Sequence, residues 1–290
     1  MNNNLSNMER AEVLTQALPY IKKYSNKIIV VKYGGNAMIN EQLKMQVMED
    51  ITLLSLIGIK IVLVHGGGPE ISEMMNKVGK QSEFVNGLRV TDKETMEIAQ
   101  MVLAGKVNKN LVNLLGTKGA KAMGISGMDG KLIEASTKNP ALGFVGDISK
   151  INIEPINVLI EKGYIPVVST IGCDDEGNSY NINGDTAAAY IAGALQAERL
   201  IMMTDIAGIM RDVNDPSSLI SEITIEEAKQ LYKEGVISGG MIPKVDCCIE
   251  AITEGVKKVI IMDGRVPHSI LMEILTDEGA GTMVVGNKND

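Results

Sequence analysis

Residues 60–69 read Lys-Ile-Val-Leu-Val-His-Gly-Gly-Gly-Pro. The short apolar run at residues 60–64 predicts a strand that is covered on both faces. Three glycines follow it, and the proline at position 69 suits the first turn of a helix. A strand that passes through glycines into a helix N-terminus is typical of phosphate or carboxylate binding at the carboxyl edge of an open α/β sheet. This stretch therefore predicts the fold class and the edge where a ligand binds.

The same alternation of apolar runs and helical segments continues along the chain. Further strands are predicted at residues 27–32, 120–125, 164–169, 200–204 and 258–262. Residues 91–94 and 224–227 have the pattern of capping boxes, and the first of them opens a helix that runs to about Leu115. Strands that alternate with helices predict parallel βαβ units, with helices covering both faces of the sheet.

One region departs from this rhythm. Residues 132–136 and 143–150 predict a short hairpin, and residues 179–182 predict another strand. We expect these pieces to form an antiparallel flap beside the main sheet. No low-complexity linker interrupts the chain, so any two lobes must share one continuous sheet.

Composition limits the classes of function. The chain has 290 residues, of which 45% are hydrophobic, which predicts a large core and excludes wholesale disorder. A net charge of −8 without a basic block argues against a nucleic-acid partner. Cys173, Cys247 and Cys248 form no metal-binding or redox spacing, which favours reduced thiols. With no apolar targeting or spanning segment, we expect a cytoplasmic protein without membrane contact.

Glycine pairs recur at the predicted ligand edge. Besides residues 66–68, the pairs Gly34-Gly35 and Gly239-Gly240 stand beside predicted helices. A single pair could be only a tight βα turn, but the repetition favours binding of phosphate or carboxylate. The P-loop motif, the dinucleotide fingerprint and the protein-kinase motifs are all missing from the sequence.

Five longer motifs carry a family resemblance. They are Val-Lys-Tyr-Gly-Gly-Asn-Ala-Met at 31–38, Val-His-Gly-Gly-Gly-Pro at 64–69, Asn-Gly-Leu-Arg-Val-Thr at 86–91, Tyr-Asn-Ile-Asn-Gly-Asp at 180–185 and Gly-Gly-Met-Ile-Pro-Lys at 239–244. From about Leu14 onward, the chain resembles the amino-acid kinase family. The resemblance implies an open, mostly parallel sheet sandwiched by helices, as in carbamate kinase. It also implies an oligomerisation and regulatory helix at residues 1–25, an acid-binding N-terminal lobe at 26–195 and a nucleotide-binding C-terminal lobe at 196–290.

The resemblance further implies a reaction. The γ-phosphoryl group of ATP, accompanied by Mg²⁺, would pass to the γ-carboxylate of N-acetyl-L-glutamate, a step of L-arginine biosynthesis. A side-chain carboxylate has an intrinsic pKa of about 4.3 and is already ionised at neutral pH, so this reaction needs no general base. It needs positioning and neutralisation of charge on the transferred group.

The family motifs assign roles to individual residues. The resemblance implies that Lys32 and Lys244 contact the phosphates and that Asp185 holds both lysines in place. It implies no protein-bound metal, because Mg²⁺ arrives with ATP, and we expect His65 to orient its loop. The acyl substrate would be bound by Gly67, Gly68, Arg89 and Asn181, with Arg89 pairing its α-carboxylate in a bidentate fork. The nucleotide would be bound by Gly34, Gly35, Asp205, Gly208, Gly239, Gly240 and Met241.

Each of these residues also has an ordinary structural interpretation. Lys32 could be a solvated lysine that ends a strand, and Arg89 could be a surface charge. Asp185 could be the N-cap of the helix that follows it. Their joint occurrence within extended motifs favours the functional interpretation. Gly184 departs from the family pattern, which usually has Ala there, and adds backbone freedom beside Asp185.

The N-terminal segment predicts an amphipathic helix. Its apolar face comprises Val13, Leu14, Ala17, Leu18 and Ile21, and Pro19 predicts a kink or joint. The helix could pack on its own subunit. The resemblance implies instead that it links dimers into a hexamer inhibited by L-arginine. The implied arginine site comprises Tyr20, His268, Glu278 and Gly281.

Three other functions compete with this interpretation. The chain could be another kinase of the same family, acting on aspartate, glutamate, carbamate or a nucleoside monophosphate. It could also be a non-catalytic sensor of arginine or nucleotide, although the presence of both lysines and Asp185 argues against a dead kinase. A dinucleotide oxidoreductase lacks its fingerprint.

Overall fold

The computed structural model describes residues 6–38 and 40–287, in which strands and helices alternate. The strands are β1 (Ile28–Tyr33), β2 (Lys60–His65), β3 (Phe84–Val85), β4 (Leu88–Arg89), β5 (Ala122–Ser126), β6 (Ile133–Thr137), β7 (Gly146–Ile151), β8 (Ile165–Ser169), β9 (Ile171–Cys173), β10 (Ser179–Asn181), β11 (Arg199–Thr204), β12 (Glu222–Thr224), β13 (Lys258–Asp263) and β14 (Gly281–Val285). The α-helices are α1 (Asn7–Gln16), α2 (Leu18–Tyr24), α3 (Glu41–Leu56), α4 (Gly68–Lys77), α5 (Lys93–Gln100), α6 (Asn108–Thr117), α7 (Glu154–Glu161), α8 (Gly184–Ala194), α9 (Ile225–Lys233), α10 (Ile242–Thr253) and α11 (Ser269–Leu275). A π-helical segment occupies Met101–Val107, and short 3₁₀ turns occupy Gly35–Met38, Asp129–Lys131, Pro140–Leu142, Pro216–Ser218 and Gly239–Met241.

An eight-stranded sheet forms the centre of the molecule, in the order β12-β14-β13-β11-β1-β2-β8-β5. Its strand pairs are parallel except for β13 with β14. In the register, Tyr33 lies opposite His65 and His65 lies opposite Ser169. The carboxyl ends of β1, β2 and β8 therefore meet at one edge. The predicted open, mostly parallel sheet is confirmed.

The central strands are covered on both faces, as their continuous apolar runs predict. Val30, Val62 and Val64 belong to a core shared with α8 and α10. Val31 and Leu63 point to the opposite face and belong to a second core shared with α3 and α6. Because β1 (before residue 195) pairs with β11 (after it), one sheet crosses the proposed lobe boundary. The lobe assignment itself stays a prediction.

The expected flap is a second sheet of four strands, in the order β10-β9-β6-β7, and it is antiparallel as expected except that β6 and β9 are parallel. β6 and β7 form the predicted antiparallel hairpin. The sequence interpretation missed β9, which starts only two residues after β8 ends and is too short to show a period. A single isolated bridge, between Val145 and Asn181, ties β10 to the chain just before β7. The flap therefore reaches the edge where the central strands end.

The helix boundaries confirm some sequence signals and correct others. Thr224 caps α9 in a full capping box with Glu227, as predicted. The signal at residues 91–94 was misassigned, because Asp92 rather than Thr91 caps α5 through the Thr95 amide. Helical structure then continues past the predicted end at Leu115 to Thr117, through the π-helical segment. Pro69 lies in the first turn of α4, as predicted.

The N-terminal segment forms two short helices. α1 and α2 meet at Ala17, and Pro19 lies in the first turn of α2, so the joint predicted from Pro19 is confirmed. No residue of α1 is buried, and Val13 and Leu14 are largely exposed. The alternative of a helix packed on its own subunit therefore holds for α2, which buries Tyr24, and not for α1. Within the described residues, no helix has the length and apolar character needed to cross a bilayer.

Candidate active site

Two lysines and one aspartate meet at the carboxyl edge of the sheet. Lys32 Nζ lies 2.8 Å from Asp185 Oδ1, and Lys244 Nζ lies 3.1 Å from Asp185 Oδ2. The Lys32 and Asp185 side chains are only 10% and 16% exposed, so water screens this pair weakly. The carboxylate bridges two cations that come from distant parts of the chain. The structure therefore brings together the three residues expected to be catalytic.

Three separate elements position this cluster. Lys32 is near the end of β1, Asp185 is in the first turn of α8, and Lys244 is in the first turn of α10. The alternative that Asp185 is the N-cap of α8 is wrong. Asn183 takes that place, and its Oδ1 accepts hydrogen bonds from the Asp185 and Thr186 amides at 2.9 and 3.1 Å. Because Asn183 caps the helix, both oxygens of Asp185 are available to the lysines.

Charge balance keeps Asp185 ionised. Burial alone would raise the pKa of this carboxyl, but the positive charges of Lys32 and Lys244 outweigh burial and lower the pKa to about 2. At neutral pH the cluster therefore carries two positive charges and one negative charge. The net positive charge suits a polyanionic ligand in a protein that is otherwise acidic.

A small cavity of about 160 Å³ adjoins the glycine loop that follows β2. All four residues expected to bind the acyl substrate line it, namely Gly67, Gly68, Arg89 and Asn181. Asn181 Nδ2 lies 3.4 Å from Thr91 Oγ1. The cavity is thus walled by the α4 N-terminus, the β3–β4 hairpin and the end of β10.

Arg89 is buried, and its guanidinium is already held by the protein. Nη2 donates to the Gly68 carbonyl at 2.9 Å and to Ser72 Oγ at 2.8 Å, while Nη1 donates to Ser82 Oγ at 2.6 Å. The ring of Phe84 covers it at 4.7 Å. The alternative of a surface charge is therefore wrong. In this conformation the terminal nitrogens are engaged, so the predicted bidentate fork requires a carboxylate to displace a serine hydroxyl.

A larger cavity of about 970 Å³ adjoins the lysine cluster. Of the residues expected to bind nucleotide, Gly239 and Gly240 line it, together with Asp185 and Lys244. Gly34 packs directly against Lys32, since a Cβ added to it would be 2.9 Å from Lys32 Nζ. Five of the residues expected to bind nucleotide do not line this cavity: Gly34, Gly35, Asp205, Gly208 and Met241.

The two cavities are neighbours. Gly87, Leu88, Val145 and Asn183 line both of them. The lysine–aspartate cluster lies at the larger cavity, within reach of the glycine loop, because a Cβ on Gly184 would contact both Lys32 Cε and Gly66 at 3.5–3.9 Å. This arrangement can hold a small acid and a large anionic ligand side by side, with cations between them.

Among the described residues, no group of three His, Cys, Asp or Glu side chains is placed to hold a metal ion. Both oxygens of Asp185 face lysines. The residues present therefore suit a divalent cation that arrives bound to the phosphates of a ligand.

Sequence reasoning missed several residues that shape the site. Ser72 and Ser82 hold Arg89, and Asn183 caps α8. The Asn183 signal was readable, because an Asn two residues before a helical Asp is a strong N-cap candidate. Ser72 is one helical turn after Gly68, which places it beside the loop. Ser82 lies in a loop, and nothing in the local sequence indicates its contact.

The residues expected to bind arginine are only partly brought together. The Tyr20 hydroxyl of α2 is hydrogen-bonded to Asp277, which raises the pKa of Tyr20 and brings it to the segment of the chain that contains Glu278. His268 lies before the start of α11, at the end opposite Glu278, and its Nδ1 is 2.6 Å from Asp50 Oδ1. No described hydrogen bond or ion pair joins His268 to the other three residues.

Comparison with known proteins places this geometry in a family. The family model described as "Amino acid kinase family" matches residues 27–263. An acetylglutamate kinase from Brachyspira hyodysenteriae is 56% identical over 282 residues, which cover 97% of this chain and 98% of that protein. An acetylglutamate kinase from Clostridioides difficile is 55% identical, with 96% of this chain and 98% of that protein covered.

Solved structures show the same fold. The N-acetylglutamate synthase of Neisseria gonorrhoeae, complexed with coenzyme A and N-acetyl-glutamate, matches with a TM-score of 0.83 at 25% identity. The match covers 96% of this chain but 63% of the synthase, so this chain corresponds to under two thirds of it. Carbamate kinase from Giardia lamblia bound to AMP-PNP matches with a TM-score of 0.64 at 19% identity over 91% of this chain and all of that one (100%), and at that identity shows the fold alone. By its sequence over residues 27–263 and by its relatives, this chain belongs to the amino acid kinase family.

Proposed function

We propose that this chain transfers the γ-phosphoryl group of ATP to the γ-carboxylate of N-acetyl-L-glutamate, giving N-acetyl-L-glutamyl 5-phosphate for L-arginine biosynthesis. The observation that carries the proposal is the Lys32–Asp185–Lys244 cluster between a small cavity and a large one. The curated relatives named acetylglutamate kinase, 55–56% identical over nearly the full chain, support this substrate.

The cluster fits the needs of phosphoryl transfer. Charge spreads over the equatorial oxygens of the transferred group in the transition state, so fixed cations lower the barrier. Asp185 holds the two ammonium groups 2.8 and 3.1 Å from its oxygens, which keeps two like charges together at one place. The lysines are thus oriented before the substrate binds. The attacking carboxylate needs no proton acceptor.

The substrate is assigned to the small cavity. Arg89 provides a buried positive charge there, burial lowers its pKa, and within residues 6–38 and 40–287 no carboxylate is paired with it. An anionic substrate would supply that partner. Asn181 can both donate to and accept from an amide, which suits an N-acetyl group.

The nucleotide is assigned to the large cavity. Gly239 and Gly240 open the 3₁₀ turn before α10, so backbone amides and the N-terminus of α10 face an anionic ligand. Mg²⁺ bound to ATP would neutralise phosphate charge. Lys32 and Lys244 would then contact the phosphoryl group that moves. Asp205, Gly208 and Met241 stay proposals for more distant parts of the nucleotide.

Acyl phosphate formation, trapped with hydroxylamine, tests the proposal. We expect ATP- and Mg²⁺-dependent product with N-acetyl-L-glutamate and none with glutamate or aspartate. Product from another acid alone would make the chain a differently selective kinase. Nucleotide or arginine binding without any product would support a sensor.

Two lysine variants, one of them a control, test the role of Lys32 in this reaction. Lys32→Met should lower kcat by about 100-fold or more, since a fixed cation in the transition state is lost. Lys60→Met is the matched control, because Lys60 is exposed at the opposite end of the neighbouring strand and should leave kcat unchanged. Full activity of the Lys32 variant would remove this lysine from the mechanism.

Regulation and assembly form a further part of the proposal. We infer that L-arginine inhibits the enzyme by binding beside Tyr20, Glu278 and Gly281. His268, at the other end of α11, would be the fourth residue of this site. The exposed apolar side chains of α1 support an assembly of dimers into a hexamer. The three buried, free cysteines suit a reducing cytoplasm.

A further inference from the structure

A buried histidine and a buried asparagine lie directly behind the glycine loop. His65 ends β2 and is fully buried, and Asn108 begins α6 and is 1% exposed. His65 Nδ1 lies 2.9 Å from the Gly66 carbonyl oxygen, and His65 Nε2 lies 3.1 Å from Asn108 Nδ2. The pair therefore connects a distant helix to the backbone of the loop that lines the substrate cavity.

The surroundings of Asn108 fix which way its amide points. Lys109 Nζ, which can only donate, lies 3.1 Å from Asn108 Oδ1. The Val167 and Ile125 carbonyls, which can only accept, lie 2.9 and 3.3 Å from Nδ2. Nδ2 is therefore the group that faces His65, and its two N–H groups are shared among His65 Nε2 and these two carbonyls.

This orientation fixes the tautomer of His65. A nitrogen that receives a hydrogen bond carries no proton in the neutral imidazole, so Nε2 is the acceptor and Nδ1 carries the proton. Burial lowers the pKa of His65 to about 4, which keeps the ring neutral. Nδ1–H then donates to the Gly66 carbonyl.

The Gly66 carbonyl in turn sets the direction of the next amide. In a planar trans peptide, the N–H group points opposite to the C=O group. The bond from His65 therefore turns the Gly67 N–H away from the buried imidazole. Gly67 lines the small cavity.

The π-helical segment supports the loop from the same side. A Cβ on Gly67 would lie 2.6 Å from Leu103 Cδ2 and 3.3 Å from Val107 Cγ2, so the loop backbone packs directly on this segment. Asn108 follows it immediately. Gly124 makes room for the amide, because a Cβ there would lie 1.8 Å from Asn108 Oδ1. π-Helical segments are rare and are frequent at functional sites.

We propose that Asn108 is a positioning residue for phosphoryl transfer: it selects the Nδ1–H tautomer of His65, which orients the Gly66–Gly67 peptide so that the Gly67 N–H faces the reacting groups. This inference rests on the proposed function, because it concerns the donor that the glycine loop offers to the substrate. Neither His65 nor Asn108 lines the small cavity.

The first test needs no variant. The protein has two histidines, so long-range ¹H–¹⁵N spectra resolve both rings, and the His65→Asn variant identifies the signals of His65 by their loss. We expect the Nδ1–H tautomer in the wild type. The Nε2–H tautomer would overturn the proposal, whatever substrate the enzyme uses.

Substitutions test the link to catalysis. Asn108→Ala should mix the two tautomers and lower kcat by about 100-fold, the cost of a misplaced transition-state donor, with the KM for ATP unchanged. Asn110→Ala is the matched control, since Asn110 is exposed on the same helix. His65→Asn keeps a donor near the Nδ1 position but cannot receive the Asn108 bond. Adding Asn108→Ala to it should therefore cost no further activity.

Asn108→Asp distinguishes positioning from general destabilisation. A carboxylate cannot donate to Nε2, so the loop bond from Nδ1–H survives only when the imidazole is doubly protonated. Activity of this variant should fall as pH rises through the new pKa of His65, while the wild type has no such step. Lys109 is the other charged group in hydrogen-bonding contact with this position, and it is present in both proteins.

The outcomes separate the two proposals. A wild-type rate and KM in Asn108→Ala, with an altered tautomer, would overturn the positioning role and leave the kinase function intact. Absence of acyl phosphate from the wild type would contradict the kinase function, while the tautomer would still be measured. If Asn108→Ala does not fold, the tautomer of His65 in the wild type and the rate of the His65→Asn variant still decide whether the positioning proposal holds.

Discussion

Gly184 stands between the helix cap Asn183 and the bridging carboxylate Asp185. A Cβ added there would meet Lys32 Cε at 3.5 Å and Gly66 atoms at 3.9 Å, which are ordinary contacts. Its backbone does not require a positive φ. The extra freedom of glycine therefore serves no steric need in the folded protein and raises the entropy of the unfolded chain.

We expect Gly184→Ala to keep kcat unchanged and to increase the free energy of unfolding by about 0.4–1 kcal/mol. Urea denaturation and the hydroxylamine assay measure the two effects. Gly127→Ala is the opposite control, because its Cβ would lie 2.1 Å from the Ile171 carbonyl oxygen and must destabilise the protein. A large loss of kcat in Gly184→Ala would mean that backbone freedom beside Asp185 is needed for turnover.

Asp50 of α3 leads to a prediction about how the free energy of unfolding depends on pH. Burial raises the pKa of its carboxyl from 3.8 to about 6, against the lowering effect of His268. At pH values between 3.8 and about 6, the native state binds more protons at Asp50 than the unfolded state does. Its contribution to the free energy of unfolding therefore falls as pH rises from about 4 to about 6, and is constant above.

Asp50→Asn removes this titration but keeps the size of the side chain. The wild-type free energy of unfolding, relative to that of the variant, should decrease by about 2–3 kcal/mol between pH 4 and pH 6.5. Urea denaturation at a series of pH values measures the difference. A difference independent of pH would show that Asp50 does not titrate in this range.

At the scale of elements, the sequence predicts most of the strands but only part of the site. Runs such as residues 60–64 are buried on both faces, and that signal is local. The flap strand β9 has three residues, too few for a period. The π-helical segment has no sequence signature, because contacts of Leu103 and Val107 with Gly67 help to stabilise it.

The same distinction holds for the site. Lys32, Asp185 and Lys244 stand in recognisable motifs, so they could be named before the fold was known. Ser82 and Asn108 contact their partners through the fold alone, across 7 and 43 residues. Positioning residues of this kind are invisible until the chain is folded, since nothing in their own neighbourhood differs from an ordinary loop or helix.

α2 is anchored by a buried polar cluster. The Tyr24 hydroxyl accepts hydrogen bonds from Arg199 Nε at 2.9 Å and from Nη2 at 2.5 Å. Arg199 Nη1 also lies 3.2 Å from Glu273 Oε1, and Glu273 Oε2 accepts from the Ala280 amide. The cluster thus connects α2 to β11, to α11 and to the segment before β14.

Tyr24→Phe leaves two N–H groups of a buried cation without their acceptor. We expect the free energy of unfolding to fall by about 1–3 kcal/mol, the cost of an unsatisfied buried polar group. Tyr164→Phe, at a half-buried site before β8, is the matched control. An equal change in both variants would show that the hydroxyl bonds of Tyr24 contribute nothing specific.

At the scale of the whole molecule, the two N-terminal helices differ in what holds them. α2 buries Tyr24 and places Tyr20 against Asp277, whereas α1 buries no residue and exposes Met8, Val13 and Leu14 by 74%, 55% and 74%. The described residues leave these apolar side chains of α1 largely uncovered, and a ten-residue helix is marginal on its own, so contact with a neighbouring subunit would stabilise it. The proposed hexamer therefore depends on α1.

Removal of residues 1–16 tests this without disturbing the core, because the cut leaves Tyr20 and Tyr24 in place. We expect light scattering to show a hexamer for the full chain and a dimer for the shortened chain, with kcat unchanged. Inhibition by L-arginine should weaken, since the proposed arginine site includes Tyr20 of α2, the helix that α1 joins at Ala17. Leu14→Glu should have the same effect in the full chain, and Glu12→Lys, which changes a charge on the same helix, should not. A shortened chain that stayed hexameric and fully sensitive to arginine would assign both properties to surfaces other than α1.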